Sequence, residues 1–384
     1  MTGQSLPEKK CLIVADDLTG ACDSAVHFAA AGARTIVAVA PDSWDDSFDV
    51  LAVSSESRDL DPAEARDRID SMAARLQLVQ AATVFKKIDS TLRGNTFEET
   101  IAGLAAFRCD FAVVNPAFPA LGRVVQQGAL RVMGDSTFPT IDIATTLQAR
   151  SAHPCHHVSA GAIAEAVAAG TRFLSLDSVC DDDLSRIATE TLALHQRVLW
   201  AGSGGLAAAL AGRLWSGVAP ALPAMPEGPV LFCLGSDHPV TIEQQRRLLA
   251  NAPAELLDAV STVEADVLSA LRRGRHVVLR IPRERVPSHS LRMLIEDCRP
   301  AATLVSGGDT VSLVCRALDI QAIDLRRELA PGLPAGVIRG GAWAGAVIAT
   351  KSGGFGRPDD LLDVANWFQG NSAPAGGARR ATED

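Results

Sequence analysis

Short apolar runs rich in β-branched residues alternate along this chain with longer Ala/Leu-rich stretches of helical period. Parallel strands covered by helices produce that alternation. In the first half it predicts strands at Cys11–Ala15, Thr35–Val39, Val50–Ser54, Thr83–Lys87 and Phe111–Val114, with further runs at Phe173–Leu176 and Val198–Trp200. Each runs into small or polar residues and then a helical segment. One such helix is Thr96 to Phe107, which carries Glu98 and Glu99 in its first turn, a usual opening for a helix.

Between Ala219 and Pro229 the pattern stops. Four prolines in eleven residues exclude a helix or an inner strand and mark a linker. The alternation then restarts with Val230–Leu234, a helix from Thr241 to Leu249, and strands at His276–Ile281, Thr303–Val305, Ala322–Leu325 and Gly345–Lys351. The expected architecture is α/β, with two domains, each a mainly parallel sheet flanked by helices, and an active site in the cleft between them. The expected boundaries are a first domain over 1–218, a linker over 219–229, a second domain over 230–368 and a disordered tail over 369–384. No repeat of fixed period is present.

Composition narrows the picture. The 384 residues suit two domains better than one core. A formal net charge of −9 makes the surface as a whole repel nucleic acid and anionic membrane, so neither is expected as a partner. An anionic ligand would need its own local positive charge. No run approaches the roughly 20 apolar residues of a membrane span, and Met1 to Lys10 lacks the apolar core of a signal peptide. The eight cysteines form no C-x-x-C pair, so no zinc knuckle or disulfide framework is indicated, and a cytoplasmic location is expected. The apolar content permits a homodimer without demanding one.

The chemistry-bearing segments cluster at predicted strand ends, where open α/β sheets place their ligands. Asp16 and Asp17 follow the first strand directly. Adjacent carboxylates repel unless they bind hydroxyls, a cation or a proton in transit; the plainer alternative is that one of them caps the next helix. Lys86-Lys87-Ile88-Asp89-Ser90-Thr91-Leu92-Arg93-Gly94-Asn95 mixes cations, an acid and hydroxyls, a set suited to holding an anion, against the alternative of a solvated basic loop. Asn115-Pro116-Ala117-Phe118-Pro119-Ala120-Leu121-Gly122-Arg123 is a stiff segment that holds Asn115 and Arg123 in a pocket or merely connects elements. In the second half, Gly235-Ser236-Asp237-His238, Ser306-Gly307-Gly308-Asp309-Thr310 and Lys351-Ser352-Gly353-Gly354-Phe355-Gly356 are glycine- and hydroxyl-rich turns. Where they open helices they form natural anion sites. Together with Ala201-Gly202-Ser203-Gly204-Gly205 they point to a nucleotide phosphate site. His238 reads as a structural helix-entry residue. His153, His156 and His157 read as a surface loop, and no metal-ligating set is expected. A P-loop sequence is absent, and no G-x-G-x-x-G follows the first strand.

Taken in order, these motifs resemble the four-carbon acid sugar kinases, a group long catalogued as a domain of unknown function. The likeness runs from about residue 10 to residue 365. It implies an N-terminal acid-sugar-binding domain and a C-terminal domain that binds ATP, with Mg2+ bridging the phosphates. Carried over by motif, it implies Asp16 and Asp17 as the catalytic pair, and Lys87, Asp89, Ser90, Arg93 and Asn115 at the sugar acid. It also implies Ser236, Gly307, Gly308, Asp309, Thr310, Gly353 and Gly354 at the nucleotide. The implied activity is ATP-dependent phosphorylation of the terminal hydroxyl of threonate, erythronate or 3-oxo-tetronate. The alternatives are a sugar-acid-binding protein without transfer, a kinase of another small hydroxy acid, and an α/β oxidoreductase.

Overall fold

The computed structural model describes residues 10–40, 47–76, 81–223, 227–282 and 286–370. The expected tail beyond 370, residues 224–226 of the proline-rich segment and the first nine residues lie outside them. The described chain divides into two compact units, one of 10–35 with 47–218 and one of 36–40 with 219–370.

The first unit contains β1 (Cys11–Ala15), α1 (Leu18–Ala30), the start of β2 (Thr35–Ala38), β3 (Val50–Ser54), α2 (Pro62–Leu76), β4 (Thr83–Lys87), α3 (Thr96–Ala106) and β5 (Phe111–Asn115). There follow β6 (Arg123–Gln126), β7 (Ala129–Val132), β8 (Ile141–Asp142), α4 (Ile143–Gln148), β9 (Cys155–Val158), α5 (Ile163–Ala168), β10 (Phe173–Leu176), α6 (Asp181–Leu192), β11 (Val198–Gly202) and α7 (Gly204–Leu214). Its main sheet runs β3-β1-β4-β11-β5-β10-β9, and every pairing is parallel. The inner strands are apolar on both faces; all of Cys11–Ala15 and Phe111–Asn115 are buried, as helices on both sides of a parallel sheet require.

The second unit holds most of β2, then β12 (Val230–Leu234), α8 (Pro239–Asn251), β13 (Ala254–Asp258), α9 (Glu264–Arg272), β14 (His276–Arg280), α10 (Ser288–Ile295), β15 (Ala302–Ser306), α11 (Gly308–Ala317), β16 (Ala322–Glu328), β17 (Pro334–Arg339), β18 (Val347–Lys351) and α12 (Asp360–Phe368). Its order is β13-β14-β12-β15-β18-β17-β16. The first five strands are parallel and the last two pairings antiparallel. Phe232, Leu234, Val278 and Leu304 meet Leu361, Val364 and Phe368 of α12 in one core.

Several elements depart from the sequence expectation. A separate antiparallel sheet, β6-β7-β8, follows β5. Its hairpin turns through Gln127 and Gly128, both at positive φ, the conformation a two-residue hairpin demands. The histidines expected in a loop are instead on a strand: His156 and His157 lie exposed on β9, where their Nδ1 atoms meet Thr171 Oγ1 at 2.9 Å and Ser175 Oγ at 3.1 Å. The glycines of 202–205 serve packing within the first unit. A Cβ on Gly205 would stand 2.5 Å from the Ala117 carbonyl oxygen, and one on Gly204 would stand 2.6 Å from the Phe118 ring. Among the described residues, no helix is long and apolar enough to cross a membrane.

Candidate functional site

In the first unit, three neighbouring strands deliver their polar ends to one place. The order β3-β1-β4 puts the segment after Ser54 beside Asp16-Asp17, and these beside the segment after Lys87. Asp17 caps α1: its extended backbone lets the side chain accept from the Gly20 amide at 2.5 Å, and Thr19 Oγ1 donates to it at 2.9 Å. Capping was the plainer of the two sequence readings, and it holds for Oδ1. The other oxygen, Oδ2, contacts Arg58. The same guanidinium grips Asp16 with two hydrogen bonds of 2.9 Å. One arginine therefore neutralises both acids.

The two carboxyls respond in opposite directions. Burial pushes Asp16 up, but Arg58, Lys86 and Lys87 together outweigh it and hold the group below the usual carboxylate range. Burial also pushes Asp17 up; Arg58 and the Gly20 amide oppose it, Asp16 reinforces it, and the net shift is upward. Lys87 is buried with Nζ 3.8 Å from Asp23. It also lies beside the first turn of α1, 3.6 Å from where a Gly20 Cβ would stand.

The segment after β4 is fastened by Asp89. Its carboxylate accepts from the Thr91 amide at 2.9 Å, from the Thr91 hydroxyl, and from Arg93 at 2.8 and 3.1 Å. Burial raises Asp89, yet the Arg93 hydrogen bonds and charge, with Lys87, drive it well below the ordinary range. Ser90 is buried next to it. Gly94, at φ +71, passes so close to Arg58 that a Cβ would lie 3.3 Å from the Arg58 carbonyl oxygen and 3.6 Å from Asp16 Oδ2. Only glycine combines that backbone and that approach. Asn95 closes the cluster by donating to the carbonyls of Ser57 and Leu60 at 3.0 and 2.8 Å. Behind it, Lys86 and Glu99 form a fully buried ion pair at 2.7 Å, and Ser57 Oγ donates to Glu99 at 2.7 Å.

Asn115 is placed differently. It is fully buried and donates to the Leu176 carbonyl at 3.0 Å, while its Oδ1 accepts from the Ala117 amide and the Ser178 hydroxyl. Those bonds hold the ends of β5 and β10 and do not reach the acid–base cluster. Arg123 opens β6 and feels the charges of Asp89 and Arg93. Among the described residues it forms no ion pair, and its Nε is buried without a hydrogen-bond partner. Arg58 is the residue sequence reasoning did not select, whereas Arg123 is offered there beside Asn115. Arg58 lies four residues past the end of β3, after Ser54-Ser55-Glu56-Ser57, with no motif of its own; its position after Val50–Ser54 is the available signal.

The second unit repeats the construction with different side chains. Strands β12, β15 and β18 are adjacent, and their registers pair Leu234 with Ser306 and Ser306 with Lys351. The three following turns therefore leave the sheet at one level. They converge on Ser236 and Thr310. A Cβ on Gly353 would stand 2.1 Å from Ser236 Oγ; one on Gly235 would stand 2.0 Å from Thr310 Oγ1, and one on Gly307 would stand 3.2 Å from it. Gly307, at φ +106, begins α11, whose first residues are Gly308, Asp309 and Thr310. Gly354 faces the ring of His238, which caps α8 by accepting from the Val240 amide at 3.2 Å, the structural role expected of it. Among the described residues, no group of three or more His, Cys, Asp or Glu side chains is arranged to hold a metal.

One unit with a charged, hydroxyl-bearing cluster and another with glycine-lined turns at the ends of adjacent strands make this a two-unit α/β protein. The description "sugar-binding N-terminal domain" matches residues 11–210, and "nucleotide-binding C-terminal domain" matches residues 231–361. A D-threonate kinase of Bordetella bronchiseptica is 35% identical, covering 92% of this chain and 96% of its own length. One of Cupriavidus necator is 34% identical, covering 95% and 99%. A solved structure from Salmonella typhimurium LT2, described as a putative tRNA synthase, superposes with a TM-score of 0.75 over 94% of this chain and 99% of that one; at 21% identity it shows the fold alone. The chain belongs to the four-carbon acid sugar kinase family.

Proposed function

We propose that the protein transfers the γ-phosphoryl group of ATP to the terminal hydroxyl of a four-carbon sugar acid, D-threonate first among the candidates. The observation that carries this reading is the convergence of Gly235-Ser236, Gly307–Thr310 and Gly353-Gly354 at the ends of three adjacent parallel strands. That brings glycine turns, where a ligand can approach the backbone, together with a helix N-terminus suited to phosphate oxygens.

In the first unit the substrate carboxylate meets Lys87, Arg93 and Arg123, with Ser90 and Asp89 binding hydroxyls. Asn115 shapes the wall from behind. Asp17, raised by burial, orients the terminal hydroxyl and takes its proton late in the step. Asp16, held ionised by Arg58, keeps that guanidinium in place. The hydroxyl oxygen bonds to the γ-phosphorus as the bond to the ADP oxygen breaks, and positioning and charge neutralisation supply most of the rate. Asp309 and Thr310 at the start of α11 are the groups that would help to hold a magnesium ion. It supplies neutralisation of phosphate charge.

ADP release measured with D-threonate, the erythronates and 3-oxo-tetronate, against an acid-free control, tests the reading. Stimulation by one of these acids supports it. Release equal to the control for all of them, from protein that binds MgADP, leaves a binding protein or a kinase of another acid.

A further inference from the structure

Lys351 ends β18 and is 1% exposed, and the transfer chemistry above makes no use of it. Its Nζ faces four acceptors: the carbonyls of Ser352 at 2.9 Å, Gly353 at 3.1 Å and Phe355 at 3.1 Å, and Thr241 Oγ1 at 3.1 Å. Thr241 in turn donates to the Gly353 carbonyl at 2.7 Å, so its oxygen can only accept from the lysine and from Ser306 Oγ at 3.5 Å. Three carbonyls and a hydroxyl already committed as donor require a group with three hydrogens, which is the ammonium form. The turn it grips is the one that lies against Ser236. Outside the lysine, the same turn is tied by Gln244, whose Nε2 donates to the Phe355 and Arg357 carbonyls at 3.2 and 2.8 Å.

We propose that Lys351 is a positioning residue for nucleotide binding, its ammonium group acting as an internal strut that sets the shape of the Ser352–Gly356 turn. The inference rests on the nucleotide-site reading and deepens it. The lysine touches no phosphate itself. It pulls the turn's carbonyls inward, which leaves the opposite side of the turn, with its amides, to the ligand.

Burial pushes the Lys351 ammonium down to about 7, opposed by Asp360 of α12. Asp360 is itself paired with Arg357 at 2.8 Å. The other titratable group beside the turn is His238, ahead of α8, against Gly354, and Asp309 stands on α11 two residues past Gly307. The window that matters is pH 7 to 9, above the Lys351 value. The linkage gives two opposite trends in that window. The folded chain sheds a proton that the unfolded chain keeps, so stability rises with pH. The strut loses its charge, so nucleotide affinity falls. A purely structural lysine would not weaken binding while the fold grows firmer.

The test is calorimetric titration of MgADP into the intact wild-type protein and Lys351→Met at pH 7, 8 and 9, with thermal unfolding of each and the KM for D-threonate. In the wild type, Kd should rise by at least about tenfold from pH 7 to 9 as the competent fraction shrinks, while the unfolding temperature does not fall. Lys351→Met should bind MgADP about tenfold or more weaker at pH 7, without the pH limb, and with the D-threonate KM changed less than about twofold. Should that variant not fold, Thr241→Val removes one partner of Nζ and should weaken MgADP about threefold or more. Wild-type binding matched by Lys351→Met, or by Thr241→Val in its place, overturns this inference alone. No MgADP binding by the wild type overturns the nucleotide-site reading and this inference with it.

Discussion

Arg58 decides what the paired aspartates can do. Two buried carboxylates side by side would not both ionise, but a guanidinium shared between them leaves Asp16 ionised and Asp17 with a raised proton affinity. A base of that kind is active when deprotonated, so turnover should fall as pH drops through the Asp17 value. Because that value is raised, the acid limb should lie above the usual carboxylate figure of about 3.9. Asp17→Asn should lower kcat by about 10²- to 10⁴-fold and erase the limb, with MgADP affinity unchanged. A kcat profile from pH 5 to 9 on both proteins checks this; a surviving limb in the variant removes Asp17 from the step. At this scale the sequence was informative where chemistry was adjacent in the chain. Asp16-Asp17 and Asp89 to Arg93 announce themselves by proximity, whereas Arg58 reaches Asp16 across 42 positions, and only the sheet order reveals the pairing.

Elements turn those residues into sites by a single device used in each unit: adjacent parallel strands ending at one level. The glycines of the second unit are there for contact as much as for conformation. Gly353→Ala places a Cβ against Ser236, 2.1 Å from Oγ and 2.9 Å from Cβ, so the turn or the serine must move. MgADP should bind at least about tenfold more weakly, equivalent to about 1.4 kcal/mol, with little change in the KM for the acid; titration calorimetry reads the first and steady-state kinetics the second. Under the first cluster, Lys86 and Glu99 are both 1% exposed. Lys86→Met strands a buried carboxylate and should cost about 3–5 kcal/mol, while adding Glu99→Leu should restore most of it. Urea denaturation of the cycle measures both; a single variant losing under about 1 kcal/mol would show that the pair contributes little. Strands of continuous apolar sequence were legible because burial on both faces leaves no other pattern. The β6-β7-β8 sheet and β17 were not, since strands such as Arg123–Gln126 and Pro334–Arg339 mix polar, glycine and proline positions and so lack the continuous apolar run that marks a strand buried on both faces.

The whole molecule is not divided as a simple linear reading of its halves suggests. Residues 36–40 belong with the C-terminal unit; the amides of Val39 and Ala40 both donate to the Gln321 carbonyl, at 2.9 and 3.0 Å, and β2 lies beside β16. A fragment beginning at 219 lacks that cover and exposes a strand edge, a known liability. Calorimetry should show it melting below the C-terminal unit of the intact chain, by about 2–4 °C for each kcal/mol lost; an equal melting temperature would mean that the excursion is dispensable. The proline-rich stretch marked a change of unit because proline composition is local, while the excursion at 36–40 is defined by contacts some 280 residues away, which no local pattern carries.

The central claim is transfer of phosphate to a four-carbon acid, and ³¹P NMR of the purified protein with MgATP and D-threonate tests it most directly. The account predicts a new phosphomonoester resonance split by two methylene protons, growing as the γ-phosphate signal declines. Decline of that signal with only inorganic phosphate appearing, or no change with any four-carbon acid, would contradict it.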